Sequence, residues 1–265
     1  MDTEALLNRI DRAKAELDAY RPLPAHTAAS LRDHLALEWT YHSNGIEGNT
    51  LTLRETKVVL EGITIGGKSM REHLEAINHR DAIEFIEDMV AQGTPLTERD
   101  IKDIHALVLR GIDPKEAGRY RQENVRISGA STLPPDFLHL AEEMEALLAW
   151  HIRLGSTHPI RHAAEFHTRF VEIHPFIDGN GRTGRLLMNL ELMKAGYPPA
   201  VIRIEDRLAY YEALDNACVS RNYDAITQLV AASVERSLAS YLDLLAPRAQ
   251  AAPNAKKPSD NGPVR

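Results

Sequence analysis

One run of twelve residues, 174–185, gathers the side chains of this chain best suited to chemistry. It reads His-Pro-Phe-Ile-Asp-Gly-Asn-Gly-Arg-Thr-Gly-Arg. It combines a titratable imidazole, a carboxylate, a Gly-Asn-Gly turn and two arginines. Taken singly, each of these features is more often structural than functional, but their combination in one short run favours a functional site. Apolar residues at helical spacing precede and follow the run, which predicts a tight loop between two helices.

The second half of the run predicts a site for an anion. A helix that begins near Gly181 directs unpaired backbone N–H groups and the positive end of its dipole at the loop. Gly179 and Gly181 leave room for a ligand beside the backbone, and Asn180 can donate an amide hydrogen bond to it. Arg182 and Arg185 lie three residues apart on the new helix and share one face. Two arginines directed at one anion indicate a polyphosphate rather than a carboxylate.

The first half of the run adds a metal ligand and a base. Asp178 would be repelled by phosphates unless a cation lay between them, and Mg²⁺ suits this place because it binds a carboxylate together with phosphate oxygens. His174 lies at the end of the preceding helix and titrates near neutral pH, as a general base requires. The combination predicts attack on a nucleotide phosphate by a hydroxyl group that His174 deprotonates.

These residues carry a family resemblance. The run resembles, without a departure, the His-x-Phe-x-Asp/Glu-Gly-Asn-Gly-Arg-x-x-Arg signature of the Fic (filamentation induced by cAMP) family, and the similarity extends from about Gly118 to about Val230. The family is all-helical with a β-hairpin flap. Most of its members transfer AMP from ATP to a hydroxyl side chain of a target protein and release pyrophosphate. The resemblance implies a protein adenylyltransferase, a nucleotidyltransferase that uses ATP and Mg²⁺.

The resemblance also assigns roles to single residues. It implies that His174 is the base, that Asp178 is the Mg²⁺ ligand and that Phe176 is a core anchor. The segment 210–218 resembles the adenine-side helix of the family, although Cys218 stands where many relatives have Asn, which leaves the nucleotide preference open. The residues expected to bind the nucleotide are Gly179, Asn180, Gly181, Arg182, Arg185, Tyr211 and Leu214.

A second motif lies upstream. Residues 43–48, Ser-Asn-Gly-Ile-Glu-Gly, resemble the Ser/Thr-x-x-x-Glu-Gly/Asn inhibitory motif of Fic proteins, in the class inhibited by an N-terminal helix. In isolation the run would be a helix end with a polar turn. We expect Ser43 and Glu47 to be inhibitory, because a carboxylate paired with Arg185 would occupy the arginine that the outer phosphate needs.

Two alternatives stay open at this stage. Glu47 could instead activate water to remove AMP from a modified target, which would make the protein bifunctional or a reverse enzyme, a de-AMPylase. A nucleotide-binding regulatory module without transfer activity is the other alternative, and the intact His174 argues against it. The sequence does not identify the target protein, its acceptor hydroxyl or the activating signal.

Periodicity along the rest of the chain predicts an all-α domain with one short β-hairpin. Helix starts are marked by capping boxes at Thr52 and Ser69, and only residues 125–134 favour a hairpin. The resemblance makes this hairpin the flap that docks a target protein by strand pairing. The expected organisation is N-terminal helices over 1–95 with an inhibitory segment at 31–48, a catalytic core over 96–246, and a disordered tail over 247–265.

The composition of the chain limits the partners and the cellular compartment that we expect. The 265 residues carry a formal net charge of −7, so no basic excess indicates nucleic acid as a partner. Cys218 is the single cysteine, which excludes an intramolecular disulfide and favours a reducing cytoplasm. The first residues lack the apolar core of a signal peptide, and no run of about 18 apolar residues predicts a membrane span. A homodimer is compatible with the resemblance, although no residue indicates one.

Histidines are frequent near the central run, which raises a zinc site as a further alternative. His167 and His174 lie seven residues apart, on one face of a helix, but no His-Glu-x-x-His motif occurs and no cysteine joins them. Packing or exposure to solvent is the favoured explanation of three of these histidines, His158, His162 and His167.

Overall fold

The computed structural model describes residues 2–153, 155 and 157–245 of the chain. Ten α-helices and two single-turn 3₁₀ helices form its regular structure. The α-helices are α1 (Thr3–Asp18), α2 (Ala25–Ile46), α3 (Leu53–Leu60), α4 (Met70–Gln92), α5 (Glu98–Val108), α6 (Leu140–Ile152), α7 (Pro159–Ile173), α8 (Asn180–Lys194), α9 (Arg207–Ser220) and α10 (Asp224–Leu245). The 3₁₀ helices, Phe137–His139 and Ile204–Asp206, precede α6 and α9. The predicted disordered tail, 247–265, lies outside the described residues.

Local sequence signals set several of these boundaries. Complete capping boxes begin α3 at Thr52 and α4 at Ser69, because the hydroxyl and the following glutamate satisfy backbone N–H groups reciprocally. Gly93 ends α4 in the left-handed conformation, at a φ of 66°. Helix α2 is longer than the sequence predicts, since it continues through Ser43 to Ile46 instead of dissolving into a loop. Contacts with neighbouring helices, described below, outweigh the weak helix propensity of this polar segment.

Helices α7 and α8 lie at the centre of the fold. One buried apolar cluster packs them against α2, α4, α5 and α6, and a second packs them against α1, α9 and α10. The loop between α7 and α8 is therefore held from both ends. Phe176, within that loop, is fully buried in the first cluster, which confirms its predicted role as a core anchor. Truncating such a side chain to alanine costs about 3–5 kcal/mol.

The prediction of a β-hairpin at 125–134 is wrong, because the described residues contain no strand. The expected turn does form, with the Ala130 N–H donating to the Ile127 carbonyl at 3.2 Å. The returning arm, however, ends in Pro134 and Pro135, which have no N–H to donate to a ladder. The segment is an irregular loop, and we refer to residues 125–134 as the flap segment.

None of the helices in the described part of the chain is both long and apolar enough to span a membrane. The predicted boundary near residue 95 stays a prediction. Leu35 and Trp39 of α2 and Ile83 of α4 pack in the same apolar cluster as α5 to α8, so the N-terminal helices share a core with the helices that carry the central loop.

Candidate active site

His174 ends α7 in the left-handed conformation, at a φ of 50°. This conformation is uncommon for a residue other than glycine, so the surroundings must hold it. Arg121 does so from the segment before the flap: its Nε donates to the His174 carbonyl at 2.9 Å, and its backbone N–H donates to the Pro175 carbonyl at 2.9 Å. No motif in the sequence assigns Arg121 a role, but its buried guanidinium binds main-chain carbonyls, which makes it a positioning residue.

The His174 ring is suited to accept a proton. Burial lowers its pKa from the ordinary value, while hydrogen bonding to the Val171 backbone and the carboxylates of Glu47 and Asp178 act in the opposite direction. The net shift is downward, so the imidazole is neutral at neutral pH. A neutral ring is the form that a general base requires.

Hydrogen bonds between residues of the loop itself stabilise its backbone after His174. Asn180 accepts from the Phe176 N–H at 3.0 Å and donates to the Phe176 carbonyl at 2.8 Å. The amide oxygen and one N–H of the NH₂ group are thereby used within the loop, and the second N–H is the side-chain donor that the predicted anion cradle would use. Its backbone N–H still belongs to the first turn of α8. The predicted place of Asn180 in nucleotide binding stays a prediction.

His105, on α5, holds the Asp178 end of the loop. Its Nδ1 accepts from the Gly118 N–H at 2.9 Å, so its Nε2 carries the proton and donates to the Asp178 carbonyl at 2.8 Å. The ring stacks on Phe176 at a centroid distance of 3.6 Å. Burial lowers its pKa to about 4, which keeps this tautomer neutral. Sequence reasoning missed His105, because it lies 73 residues from Asp178.

Arg185 is buried and held by α2. Its Nε donates to Ser43 Oγ at 3.0 Å, and its Nη2 donates to the Ser43 carbonyl at 2.8 Å and to Glu47 Oε1 at 2.7 Å. Glu47 also packs against Gly181, where an added Cβ would lie 2.2 Å from Glu47 Oε1. The structure thus brings together the two motifs that the sequence placed about 140 residues apart. The ion pair uses one carboxylate oxygen, Glu47 Oε1.

Two neutral histidines lie near Arg185. Burial lowers the pKa of His167 to about 3 and that of His79 well below its ordinary value, and in both cases Arg185 adds to the effect. The His167 ring pairs with the Tyr210 hydroxyl at 2.7 Å. Because these imidazoles are uncharged, they do not add positive charge beside the arginine. His167 is therefore accounted for as a packing residue.

Arg182 belongs to a different set of partners. Its Nη2 donates to Asp178 Oδ1 at 3.1 Å, and its Nη1 lies 3.3 Å from Glu75 Oε1 of α4. Glu75 Oε1 also accepts from Arg71 Nε at 3.0 Å, and Arg71 Nη2 donates to Asp178 Oδ2. Four charged groups thus form a closed ring, which we call the α4 charge ring: Arg71, Glu75, Asp178 and Arg182. Sequence reasoning had singled out only two of its members.

The arginines retain capacity for an anion. Arg185 Nη1 and Arg182 Nε are buried and have no hydrogen-bond partner in the described structure. The first backbone N–H groups of α8 have no carbonyl partner within the helix. Buried donors without partners are costly. This arrangement fits the predicted phosphates, for which these groups supply donors and positive charge.

Asp178 offers a hard oxygen ligand for Mg²⁺. Its Oδ1 accepts from the Gly179 N–H at 2.6 Å as well as from Arg182, and its side chain is 42% exposed. Burial raises the pKa of Asp178, but Arg182, the Gly179 N–H and Arg71 outweigh it and hold the pKa below the ordinary value. An ionised carboxylate at the edge of an anion site fits a cation that shares its remaining ligands with phosphates.

The predicted adenine side is formed by α9. Tyr211 is partly exposed, and its hydroxyl donates to the Ile46 carbonyl at the end of α2, at 3.2 Å. Leu214 is partly buried against the second apolar cluster. Cys218 is buried, which raises the pKa of its thiol to about 11. The nucleotide contacts of Tyr211 and Leu214 stay predictions.

The flap segment is attached to α9 and to Arg121. Ser131 donates its N–H and its hydroxyl to the two carboxylate oxygens of Asp215, at 2.7 and 2.6 Å. Arg121 Nη2 donates to the Pro135 carbonyl at 2.6 Å. A single buried guanidinium therefore joins the base of the flap segment to the main chain of His174.

A cluster of His151, His162 and Glu191 is the one group within the described chain whose ligand atoms lie close enough to suggest a metal. His151 already contacts both partners, His162 Nε2 at 2.8 Å and Glu191 at 3.5 Å. The Lys194 ammonium lies 3.5 Å from Glu191 and would repel a metal cation. The cluster is therefore a buried polar chain that joins α6, α7 and α8.

Comparison with known proteins agrees with this geometry. The profile of the Fic/DOC family matches residues 95–192. A protein named protein adenylyltransferase Fic, from Nematostella vectensis, is 38% identical over 248 residues, which cover 90% of this chain and 56% of that protein. The relative of the same name from Drosophila erecta is 36% identical and is covered over 48% of its length. The chain thus spans about half the length of the curated relatives it matches.

Solved structures show the same fold. Fic-1 from C. elegans superposes with a TM-score of 0.83 at 30% identity, covering 92% of this chain and 72% of that one. A Fic domain containing signaling protein from Bacteroides thetaiotaomicron gives a TM-score of 0.83 at 29% identity, covering 89% of this chain and 97% of that one. The chain belongs to the Fic/DOC family.

Proposed function

We propose that this protein is a protein adenylyltransferase that transfers AMP from ATP to a hydroxyl side chain of a target protein, and that Glu47 holds it in a low-activity state. One observation carries the proposal. The Glu47 carboxylate, an anion, lies against Gly181 and Arg185 at the start of α8, where the sequence predicts a phosphate. The name protein adenylyltransferase Fic, carried by the relatives, supports the same chemistry.

The proposed reaction uses His174 as its base. The target hydroxyl loses its proton to the neutral His174 ring, and its oxygen forms a bond to the α-phosphorus of ATP. The bond between that phosphorus and the oxygen bridging to the β-phosphate breaks, and pyrophosphate leaves with the electron pair. Arg121 orients the base, since it binds the His174 carbonyl at 2.9 Å. General base catalysis of this kind contributes about 10²- to 10⁴-fold.

The chain's own groups would bind the leaving phosphates. Arg185 and Arg182 supply unpaired guanidinium nitrogens, and the first N–H groups of α8 supply backbone donors. Asp178 would hold Mg²⁺, which when bound neutralises phosphate charge. Glu47 and the outer phosphate would compete for Arg185. Displacing Glu47 is therefore the activating event in this proposal.

The test uses ATP labelled either at the α-phosphate or at the γ-phosphate, with the Glu47→Gly variant and a cell lysate. Adenylyl transfer predicts protein-bound label from the α-labelled ATP alone. Label from the γ-labelled ATP would indicate phosphoryl transfer instead. Absence of label from both, with ATP binding retained, would favour the nucleotide-binding module and contradict transfer.

A second candidate activity is removal of AMP from a modified target. Glu47 Oε1 is paired with Arg185, while Oε2 has no hydrogen-bond partner in the described structure, and the side chain is 32% exposed. This free oxygen is placed to take a proton from water. Incubating an adenylylated target with the wild-type protein and Mg²⁺ tests the idea, and no AMP release while Glu47→Gly still transfers AMP would contradict it.

We further propose that the flap segment docks the target. No backbone hydrogen bond joins residues 125–127 to 131–134 in the described structure, so these backbone groups can pair with an extended peptide.

The same proposal includes two further points. The protein assembles as a homodimer, and it works in a reducing, cytoplasmic setting, which the single Cys218 favours. Sedimentation of the purified chain and cross-linking at the flap segment to a captured target would check the assembly and the docking.

A further inference from the structure

We propose that Arg71 guards the metal ligand: its guanidinium occupies the one open oxygen of Asp178 and must leave before a divalent cation binds there. The inference rests on the proposed role of Asp178. It concerns the carboxylate of Asp178 rather than Arg185, and a different helix from the one that carries Glu47. Arg71 lies in the first turn of α4, two residues after the Ser69 cap, and no motif in the sequence assigns it a role.

The two oxygens of Asp178 are not equivalent. Oδ1 accepts from the Gly179 N–H at 2.6 Å and from Arg182 at 3.1 Å, so the loop itself uses it. Oδ2 has one partner, the Arg71 guanidinium. A metal cation needs a carboxylate oxygen with an accessible lone pair, and Oδ2 is the oxygen that can supply it. A guanidinium and a dication cannot share that oxygen, because they repel each other and fill the same space.

The rest of the α4 charge ring holds Arg71 in place. Arg71 Nε donates to Glu75 Oε1 at 3.0 Å, one helical turn further along α4. Glu75 is largely buried, with 11% of its side chain exposed, and its Oε2 accepts from Asn49 at 2.9 Å. The Asn49 N–H donates in turn to the Asn44 carbonyl in the last turn of α2. The guard is thus connected to the same helix end that carries Glu47.

Arg71 acts as a competitor rather than a permanent block. Its side chain is 55% exposed and that of Asp178 is 42% exposed, and exposed ion pairs are weak. A cation can therefore displace it at a modest cost in affinity. Removing the guanidinium should tighten cation binding by up to about fivefold, the range that weak surface pairs allow.

The test measures Mn²⁺ binding by electron paramagnetic resonance of the free ion, with and without a non-hydrolysable ATP analogue, so no turnover is needed. Arg71→Gln is compared with Arg80→Gln, a matched control on the same helix. Arg80 also pairs with a glutamate four residues on, Glu84 at 3.1 Å, and its other partner is Asp33. Both variants remove one positive charge from α4. Thermal unfolding of each variant checks that it is folded.

We expect tighter Mn²⁺ binding in Arg71→Gln, little change in Arg80→Gln, and no gain from Arg71→Gln when Asp178→Asn is also present. Unchanged or weaker binding in Arg71→Gln overturns the proposal, as does an equal gain in Arg80→Gln, which would indicate a general charge effect. If Asp178→Asn alone leaves Mn²⁺ binding unchanged, the assignment of Asp178 as the metal ligand fails as well. The Asp178→Asn measurement therefore distinguishes failure of the proposed metal ligand from failure of the proposed competition by Arg71.

Discussion

The two arginines in the first turns of α8 are neutralised by different helices in different ways. Arg185 is paired with Glu47, the residue that follows α2, and Arg182 is paired with Glu75, in the interior of α4. Both arginine side chains are 2% exposed, but Glu47 is 32% exposed and Glu75 only 11%. The carboxylates therefore differ in how easily each can leave its arginine.

The surroundings of the two glutamates sharpen this difference. Glu47 precedes Gly48, which adopts a φ of 101° and has no side chain to restrict the turn. Glu47 has one ion-pair partner, Arg185. Glu75 has three partners and sits within a regular helix. Moving Glu47 breaks one charged contact, whereas moving Glu75 leaves several buried groups unpaired. This difference favours the proposal that the α2 side of the loop is a switch and the α4 side is a scaffold.

The largest expected effect is the loss of AMP transfer when His174 is replaced, which tests whether the α2 and α4 sides of the loop serve one reaction centre. In the Glu47→Gly background, His174→Asn should lower AMP transfer by about 10²- to 10⁴-fold, because the base is lost. Asparagine tolerates the left-handed backbone that His174 adopts, so thermal stability should stay close to that of the parent. Transfer by the parent should rise with pH with a midpoint below the ordinary histidine pKa of about 6.5, because burial lowers the pKa of His174. Retained transfer in His174→Asn would show that His174 is not the base of the reaction.

The next effect tests the scaffold. Glu75→Gln should lower the free energy of unfolding by about 2–4 kcal/mol, because it removes a largely buried carboxylate that pairs with both Arg182 and Arg71. Glu47→Gln should cost only about 1 kcal/mol, since Arg185 keeps both contacts with Ser43. Urea unfolding measures both. Equal losses, or a larger loss at Glu47, would remove the distinction between the two sides.

The third effect tests the switch. Glu47→Gly should raise AMP transfer by about 10- to 100-fold, the equivalent of one charge-assisted hydrogen bond. Glu61→Gly is a matched control, because Glu61 also follows a helix and precedes a glycine of positive φ, Gly62. Quantitative labelling with α-labelled ATP compares the two. A similar increase in Glu61→Gly would mean that loss of a carboxylate near a helix end, not release of Arg185, activates the protein.

The smallest effect concerns the contact of Glu47 with the start of α8. Gly181→Ala should destabilise the wild-type protein by about 1 kcal/mol, because the new Cβ would lie 2.2 Å from Glu47 Oε1. In Glu47→Gly the same change should stabilise by up to about 1 kcal/mol, because alanine is the better helix former. Thermal unfolding of the four proteins completes this double-mutant cycle. No change of sign would show that Glu47 does not rest on Gly181 in solution.

Much of the fold follows from local signals. The caps at Thr52 and Ser69 and the stop at Gly93 depend on residues within one helical turn of each other, so the sequence predicts them. The flap segment is where local reasoning fails, since alternating residues 125–127 suggest a strand. Whether a ladder forms depends on the partner arm, and the two prolines and the attachment of Ser131 to Asp215 prevent it.

The sequence by itself determined the family and the central loop, because a contiguous run of twelve residues specifies the turn, the helix start and the groups that could do chemistry. Only the tertiary structure decided which charges meet. Arg71, Glu75, His105 and Arg121 come from distant segments and belong to no contiguous motif. Their contacts exist because α2, α4 and α5 pack around α7 and α8. Burial of Glu75, His105 and Arg121 then makes their pairings necessary. A charged residue's partner is chosen by packing, not by its place in the sequence.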